Sequence, residues 1–204
     1  MKVDIKKIAI GCGRQLFKVR SLTPIPFILV MLFWARWEWV NCMVTWSLGL
    51  LSLLCGESLR FYSLRYMGKF SRTRKRKARM LVTGGPYALV RNPLYWGNLF
   101  IMLGYTLVSG LIWFIPVIVV LFFIQYQCIV LWEEEGLREF FPSDAEDYFK
   151  KVPRWLPNWR ELKNYPRHSY LPYYGWADVL KREKRTLQGI IVACIAMMVK
   201  EFFS

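Results

Sequence analysis

Leu111-Ile-Trp-Phe-Ile-Pro-Val-Ile-Val-Val-Leu-Phe-Phe-Ile-Gln-Tyr-Gln-Cys-Ile-Val-Leu-Trp132 carries no charge and runs straight into Glu133-Glu134-Glu135. A helix that crosses a bilayer needs roughly 20 mostly apolar residues. This stretch satisfies that requirement and predicts a membrane span. Four further apolar runs surround it: Ser21–Ala35, Trp37–Leu59, Tyr95–Val108 and Thr186–Val199. The first contains Pro24 and Pro26, the second has Glu38 and Glu57 near its ends, and the last stops at Lys200. Three of these runs are near the lower length limit for a span. Together the five predict an all-α fold, a multi-pass membrane helical bundle of about five transmembrane helices.

Composition agrees. The 204 residues are 55% hydrophobic and 17% aromatic, with 21% charged and a net charge of +15. Disorder is excluded, because it needs low hydrophobicity. A soluble nucleic-acid binder would explain the charge but not the apolar runs, so no nucleic-acid partner is expected. Of the 29 Lys and Arg, all but Arg36 and Lys200 precede the first run or lie between runs two and three or four and five. The positive-inside bias makes those segments cytoplasmic, with the N-terminus inside. One domain is predicted over 1–204. It comprises a basic lead-in at 1–20, two spans at 21–59, a cytoplasmic loop at 60–94, a helical hairpin at 95–132, a cytoplasmic region at 133–185 and a last span at 186–204. The lead-in reads as a basic amphipathic segment on anionic lipid, and the block Arg72–Arg79 as a second contact with lipid headgroups. The hairpin turn is Ser109-Gly110.

The five cysteines are scattered and odd in number, and form no C-x-x-C pair. They read as small apolar residues, and with His168 as the single histidine no metal site is expected. The aromatic loop Tyr165–Trp176 reads as an interfacial segment that can close over a ligand.

Two segments carry chemistry. The first is Leu81-Val-Thr-Gly-Gly-Pro-Tyr87-Ala-Leu-Val-Arg91-Asn92-Pro93-Leu-Tyr95-Trp-Gly97-Asn98. Gly84-Gly85-Pro86 predicts a turn. Pro93 suits the first turn of a helix, whose free N–H groups can hold an anion. The second is Trp132-Glu133-Glu134-Glu135, followed by Phe140-Phe141, Tyr148 and Val152-Pro153-Arg154-Trp155. Carboxylates at a helix C-terminus oppose the helix dipole, so a cation is expected close by.

The first segment resembles the R-H-P-x-Y-x-G signature region of the isoprenylcysteine carboxyl methyltransferases and phospholipid methyltransferases, and the second is similar to the other half of that signature. The resemblance spans about residues 50–157. It implies a cytoplasmic pocket for S-adenosyl-L-methionine at the base of the hairpin. By position, Arg79, Met80, Leu81, Val82, Tyr87, Asn92, Pro93, Leu94, Tyr95 and Glu133 would contact the cofactor. Aromatic faces and a carboxylate suit its sulfonium cation. The methyl acceptor would be a lipophile from the bilayer, an isoprenylcysteine carboxylate or a lipid. An amine or hydroxyl acceptor needs a base, for which Tyr95 and Glu134 are the candidates. Two positions depart from the signature: Asn92 stands where the family has His, and Ile129 where the isoprenylcysteine enzymes hold an Arg for substrate. Two alternatives stay open: an NADPH-dependent membrane reductase, since sterol reductases share a similar signature helix, and a non-enzymatic membrane protein with a degenerate site.

Overall fold

The computed structural model describes residues 5–35, 42–67, 81–158 and 172–203, and among these every regular element is helical. The α-helices are α1 (Ile5–Val19), α2 (Pro24–Trp34), α3 (Cys42–Met67), α4 (Pro93–Val108), α5 (Ile115–Phe140), α6 (Pro142–Lys151) and α7 (Trp176–Phe203). Short 3-10 turns at Gly85–Ala88 and Ile112–Phe114 precede α4 and α5. Arg79, Met80, the basic block Arg72–Arg79, Arg36, His168 and most of the 165–176 loop lie outside the described residues.

The number of spans differs from the expected five. Among the described residues, three segments are long and apolar enough to cross a membrane: Cys42–Met67, Ile112–Phe140 and Trp176–Phe203. A fourth results if α1 and α2, bent by 66° at their junction, form one broken span. α4 falls short alone, because its 16 residues rise about 24 Å against a hydrocarbon core of roughly 30 Å. Helix ends also run past the apolar stretches. α3 continues to Met67, α5 carries on through Glu133 to Phe140, and α7 begins ten residues before Thr186, at Trp176. The segments read as cytoplasmic loops are therefore partly helical. Their charged residues can stay in helix because they find partners on neighbouring helices, as with Arg60 and Glu183 at 2.6 Å.

Glycine sets the closest helix contact. On α3, Gly49 and Gly56 face Gly104 and Gly97 of α4 in antiparallel order. A Cβ on Gly104 would lie 2.9 Å from the Gly49 carbonyl oxygen, and one on Gly97 would lie 2.8 Å from that of Gly56. Without side chains the two backbones approach directly, which is how helices associate where lipid removes the hydrophobic drive between them. The α4–α5 hairpin turns through Ser109 and Gly110, and Gly110 supplies the positive φ (73°) that the turn needs.

α1 packs on α5. Gly13 sits against the Cys128 carbonyl, where any Cβ would overlap it. The Phe17 ring lies 4.8 Å from that of Trp132. Arg14 and Lys18 remain exposed on the outer face of α1. At the end of the bundle away from the motifs, Lys200 extends α7 rather than ending it. Its Nζ donates to the carbonyls of Leu32 (2.7 Å) and Phe33 (2.9 Å), closing the open end of α2.

Candidate active site

The two motifs, separated by 33 residues in sequence, are stitched together by main-chain hydrogen bonds. Arg91 N–H donates to the Pro153 carbonyl (2.9 Å) and Asn158 N–H to that of Leu89 (2.9 Å). Side chains add to the seam. Asn92 Nδ2 donates to the Arg154 carbonyl (3.0 Å), Trp96 Nε1 to the Trp155 carbonyl (2.7 Å), and the Tyr148 hydroxyl to the Tyr87 carbonyl (2.7 Å). Asn92 thus holds the second motif in place at the position where the signature has His.

The three consecutive glutamates have different surroundings. Glu134 is 3% exposed. It accepts from Arg154 Nε (2.9 Å) and Nη2 (2.7 Å) and from Arg91 Nη1 (2.7 Å). Both of its oxygens are engaged by cations, so it clamps the motifs together. This differs from the general-base role considered from sequence. Glu135 lies 3.6 Å from Arg138. Glu133 accepts one hydrogen bond, from the Tyr95 hydroxyl at 2.8 Å, and has no cationic partner within ion-pair distance among the described residues. An ion-pair partner is therefore present for Glu134 and Glu135, whereas the cation nearest in effect to Glu133, Arg20 beyond the end of α1, stays outside ion-pair distance.

The other residues proposed for cofactor contact divide by what they already touch. Tyr87 is 5% exposed, and its hydroxyl is buried with no hydrogen-bond partner among the described residues. Burial pushes the Tyr87 and Tyr148 phenols well above their ordinary range, so both stay neutral. Leu81 and Val82 are half-buried just before the 3-10 turn. Leu94 packs against a cluster of Leu64, Tyr174 and Val179. The start of α4 offers fewer free donors than expected: Pro93 has none, and the N–H groups of Tyr95 and Trp96 turn back to the Asn92 carbonyl. The hydrogen bonds that Arg154 donates to Glu134 hold its guanidinium pKa up, whereas burial lowers that of Arg91.

A second polar chain was not legible from spacing. Arg60 of α3 donates to Glu183 (2.6 Å) of α7 and to Asn98 Oδ1 of α4, and Asn98 Nδ2 donates to the Tyr126 hydroxyl (2.9 Å) of α5. The Tyr126 ring lies 4.5 Å from that of Tyr95, next to Glu133. The only sequence hints were charges at the ends of apolar runs and a lone Tyr inside one.

The fold and these joined motifs define a helical integral membrane protein with a polar centre at one end of its bundle. The phospholipid methyltransferase family matches residues 44–144, and the chain belongs to that family of membrane methyltransferases. It is similar to the cobalt-zinc-cadmium resistance protein CzcN of Cupriavidus metallidurans, at 30% identity over 137 residues, which is 65% of this chain and 60% of that protein. The nickel-cobalt-cadmium resistance protein NccN of Alcaligenes xylosoxydans is 24% identical over 158 residues, 76% of this chain and 70% of that protein. The protein-S-isoprenylcysteine O-methyltransferase of Schizosaccharomyces pombe is 29% identical over 170 residues, 77% of this chain and 65% of its own length. No solved structure gives a significant match.

Proposed function

We propose that this protein transfers the methyl group of S-adenosyl-L-methionine to a lipophilic acceptor that reaches it from the bilayer. The observation that carries this reading is Glu133, a carboxylate held by Tyr95 that makes no ion pair with any described residue, Arg20 acting on it only from a distance. It lies inside the signature of a methyltransferase family. A carboxylate in that state favours a cationic ligand, because in a partly dehydrated site an unpaired charge is costly. When bound, the cofactor supplies an electrophilic methyl group on a sulfonium. Glu133 would face that positive charge, and Tyr95 would orient Glu133 through its hydroxyl. The unpartnered hydroxyl of buried Tyr87 would hydrogen-bond the cofactor's polar groups. Leu81 and Val82 would cover its apolar surface, joined by Arg79 and Met80 outside the described residues. The Glu134 clamp keeps these groups in register, and alignment is where much of the barrier reduction for a displacement can come from.

The positive-inside pattern supports a cytoplasmic site, where a soluble cofactor is available. Exposed Arg14 and Lys18 would face anionic headgroups there. The relative from Schizosaccharomyces pombe, by its name, methylates an isoprenylcysteine, which supports a greasy acceptor.

The test uses full-length protein in nanodiscs with methyl-tritiated S-adenosyl-L-methionine, bacterial lipid extract and N-acetyl-S-farnesylcysteine. Label should partition into the organic phase in proportion to enzyme. Label confined to water, together with NADPH oxidation in the same membranes, would support a reductase instead. Neither signal from folded protein would point to a non-enzymatic role.

A further inference from the structure

Two arginines where α3 meets α7 lie outside both motifs and face aromatic rings instead of carboxylates. The Arg65 guanidinium sits over the Trp176 ring, 4.0 Å from its centroid, and that of Arg182 over the Tyr174 ring at 4.1 Å. Neither makes an ion pair among the described residues. Asp178, the acid in the first turn of α7, pairs with neither, and buried Glu183 is committed to Arg60. A ring covers one face of a guanidinium and leaves its N–H edge open. Arg65 spends only Nε, on the Tyr174 carbonyl at 3.3 Å, and Arg182 spends no donor on any described residue. Both arginines therefore touch Tyr174, whose own N–H donates back to the Arg65 carbonyl (3.1 Å). Tyr174 is 7% exposed, and its hydroxyl is buried with no hydrogen-bond partner among the described residues. An unsatisfied hydroxyl is costly there unless a ligand supplies the missing partner.

The depth of this cluster follows from the helices. The apolar run of α7 starts at Thr186, and that of α3 ends at Leu59. At 1.5 Å per helical residue, Arg182 lies about 6 Å and Arg65 about 9 Å beyond the apolar stretch of its own helix. That is the depth of the lipid headgroups. Trp176 and Tyr173, 55% and 47% exposed, flank the cluster as interfacial aromatics do. One face of α7 runs from Arg182 and Arg185 to exposed Gly189 and Val192, out of the cations and into hydrocarbon. We propose that Arg65, Arg182 and the Tyr174 hydroxyl bind the phosphate of an anionic phospholipid, whose acyl chains lie along that face of α7. Guanidinium forks match phosphate oxygens, and the tyrosine O–H adds a further donor. Exposed Lys181, Lys184 and Arg185 repel a headgroup cation such as choline, so they select lipids of net negative charge. Those lipids are concentrated in the cytoplasmic leaflet, where the positive-inside pattern puts this end of the bundle. Tyr174 packs with Leu64 of α3 and Val179 of α7, so the bound lipid braces the contact between these two helices. The site shares no residue with the two motifs and does not depend on the methyl-transfer reading.

The test counts lipids bound to full-length protein by native mass spectrometry from detergent. Phosphatidylglycerol and phosphatidylcholine with the same acyl chains are the probes. The wild type should hold one phosphatidylglycerol about tenfold more tightly than phosphatidylcholine, the usual weight of a hydrogen bond between charged groups. Arg182→Gln removes no hydrogen bond among the described residues and should bring the two lipids to within about threefold. Lys181→Gln removes the same charge one residue away and should leave most of the preference. Tyr174→Phe should weaken phosphatidylglycerol about threefold. Its melting temperature in lipid-free detergent should not fall, because the lost hydroxyl has no described partner, whereas the rise caused by phosphatidylglycerol should shrink. Because each preference is a ratio within one variant, a general loss of stability does not mimic it. No preference in the wild type, or equal losses in Arg182→Gln and Lys181→Gln, would reduce the site to diffuse surface charge and overturn the inference. Glycerol 3-phosphate is offered as a soluble competitor. Failure to displace the lipid supports a phospholipid as the occupant, and displacement at matched concentration would mark a free-phosphate site and overturn it.

Discussion

Replacing Glu134 by Gln separates a clamp from a base. The side chain is 5% exposed and receives three charge-assisted hydrogen bonds, from an Arg91 that is 14% exposed and an Arg154 that is 29% exposed. Removing one member of a buried ion pair costs about 3–5 kcal/mol, much of it the penalty of stranding the partner charge. Here both guanidinium groups reach some water, and Gln keeps one acceptor oxygen. The expected loss is therefore at the low end, about 2–3 kcal/mol. For a chain of this size that is roughly 4–12 °C in melting temperature. The assay is thermal unfolding in detergent for Glu134→Gln, Arg154→Gln and the double variant. The two single effects should fall short of adding, with a coupling of about 1.5–3 kcal/mol. An unchanged melting temperature together with abolished turnover in Glu134→Gln would refute the clamp and restore Glu134 as a base.

Other perturbations follow from the packing. Gly104→Ala puts a Cβ 2.9 Å from the Gly49 carbonyl and 2.6 Å from Leu53 Cγ, and should destabilise by about 1–3 kcal/mol in the same unfolding assay. Gly189→Ala, with nothing within 4 Å of its Cβ, should be neutral or stabilise by up to about 1 kcal/mol. Gly85→Ala meets the Tyr66 ring at a φ of 61°. It should cost about 1–2 kcal/mol and increase proteolysis at the turn before α4. Lys200→Met leaves the Leu32 and Phe33 carbonyls without their donor. Hydrogen exchange at the end of α2 should then quicken, with the motif end unaffected.

Much of the fold was readable because it is written in local pattern. The uncharged run before Trp132 and the Ser109-Gly110 turn placed the hairpin, and the two motifs announced the family. The helix ends were not readable. Arg60, Glu183 and Glu134 look like loop residues when hydropathy alone is followed, and they stay helical because partners from distant segments neutralise them. Arg60 and Glu183 are 123 residues apart, a pairing that no periodicity reports. The glycine seam between α3 and α4 was hidden for a similar reason. Gly49 and Gly56 become meaningful only when Gly104 and Gly97 are seen across from them. At the site, three adjacent glutamates look equivalent in sequence. Their functions diverge because α5 turns Glu134 toward Arg91 and Arg154, and Glu133 toward Tyr95.

The central claim is that Glu133 awaits a cationic methyl donor, and titration calorimetry tests it most directly. Full-length protein and Glu133→Gln are each titrated with S-adenosyl-L-methionine and with its neutral product, S-adenosylhomocysteine. The account predicts saturable binding of both to the wild type, with the sulfonium form favoured. In Glu133→Gln the affinity for S-adenosyl-L-methionine should fall by about tenfold or more, and that for the product by less. Equal affinities in both proteins, or no binding of either ligand by folded wild type, would contradict it.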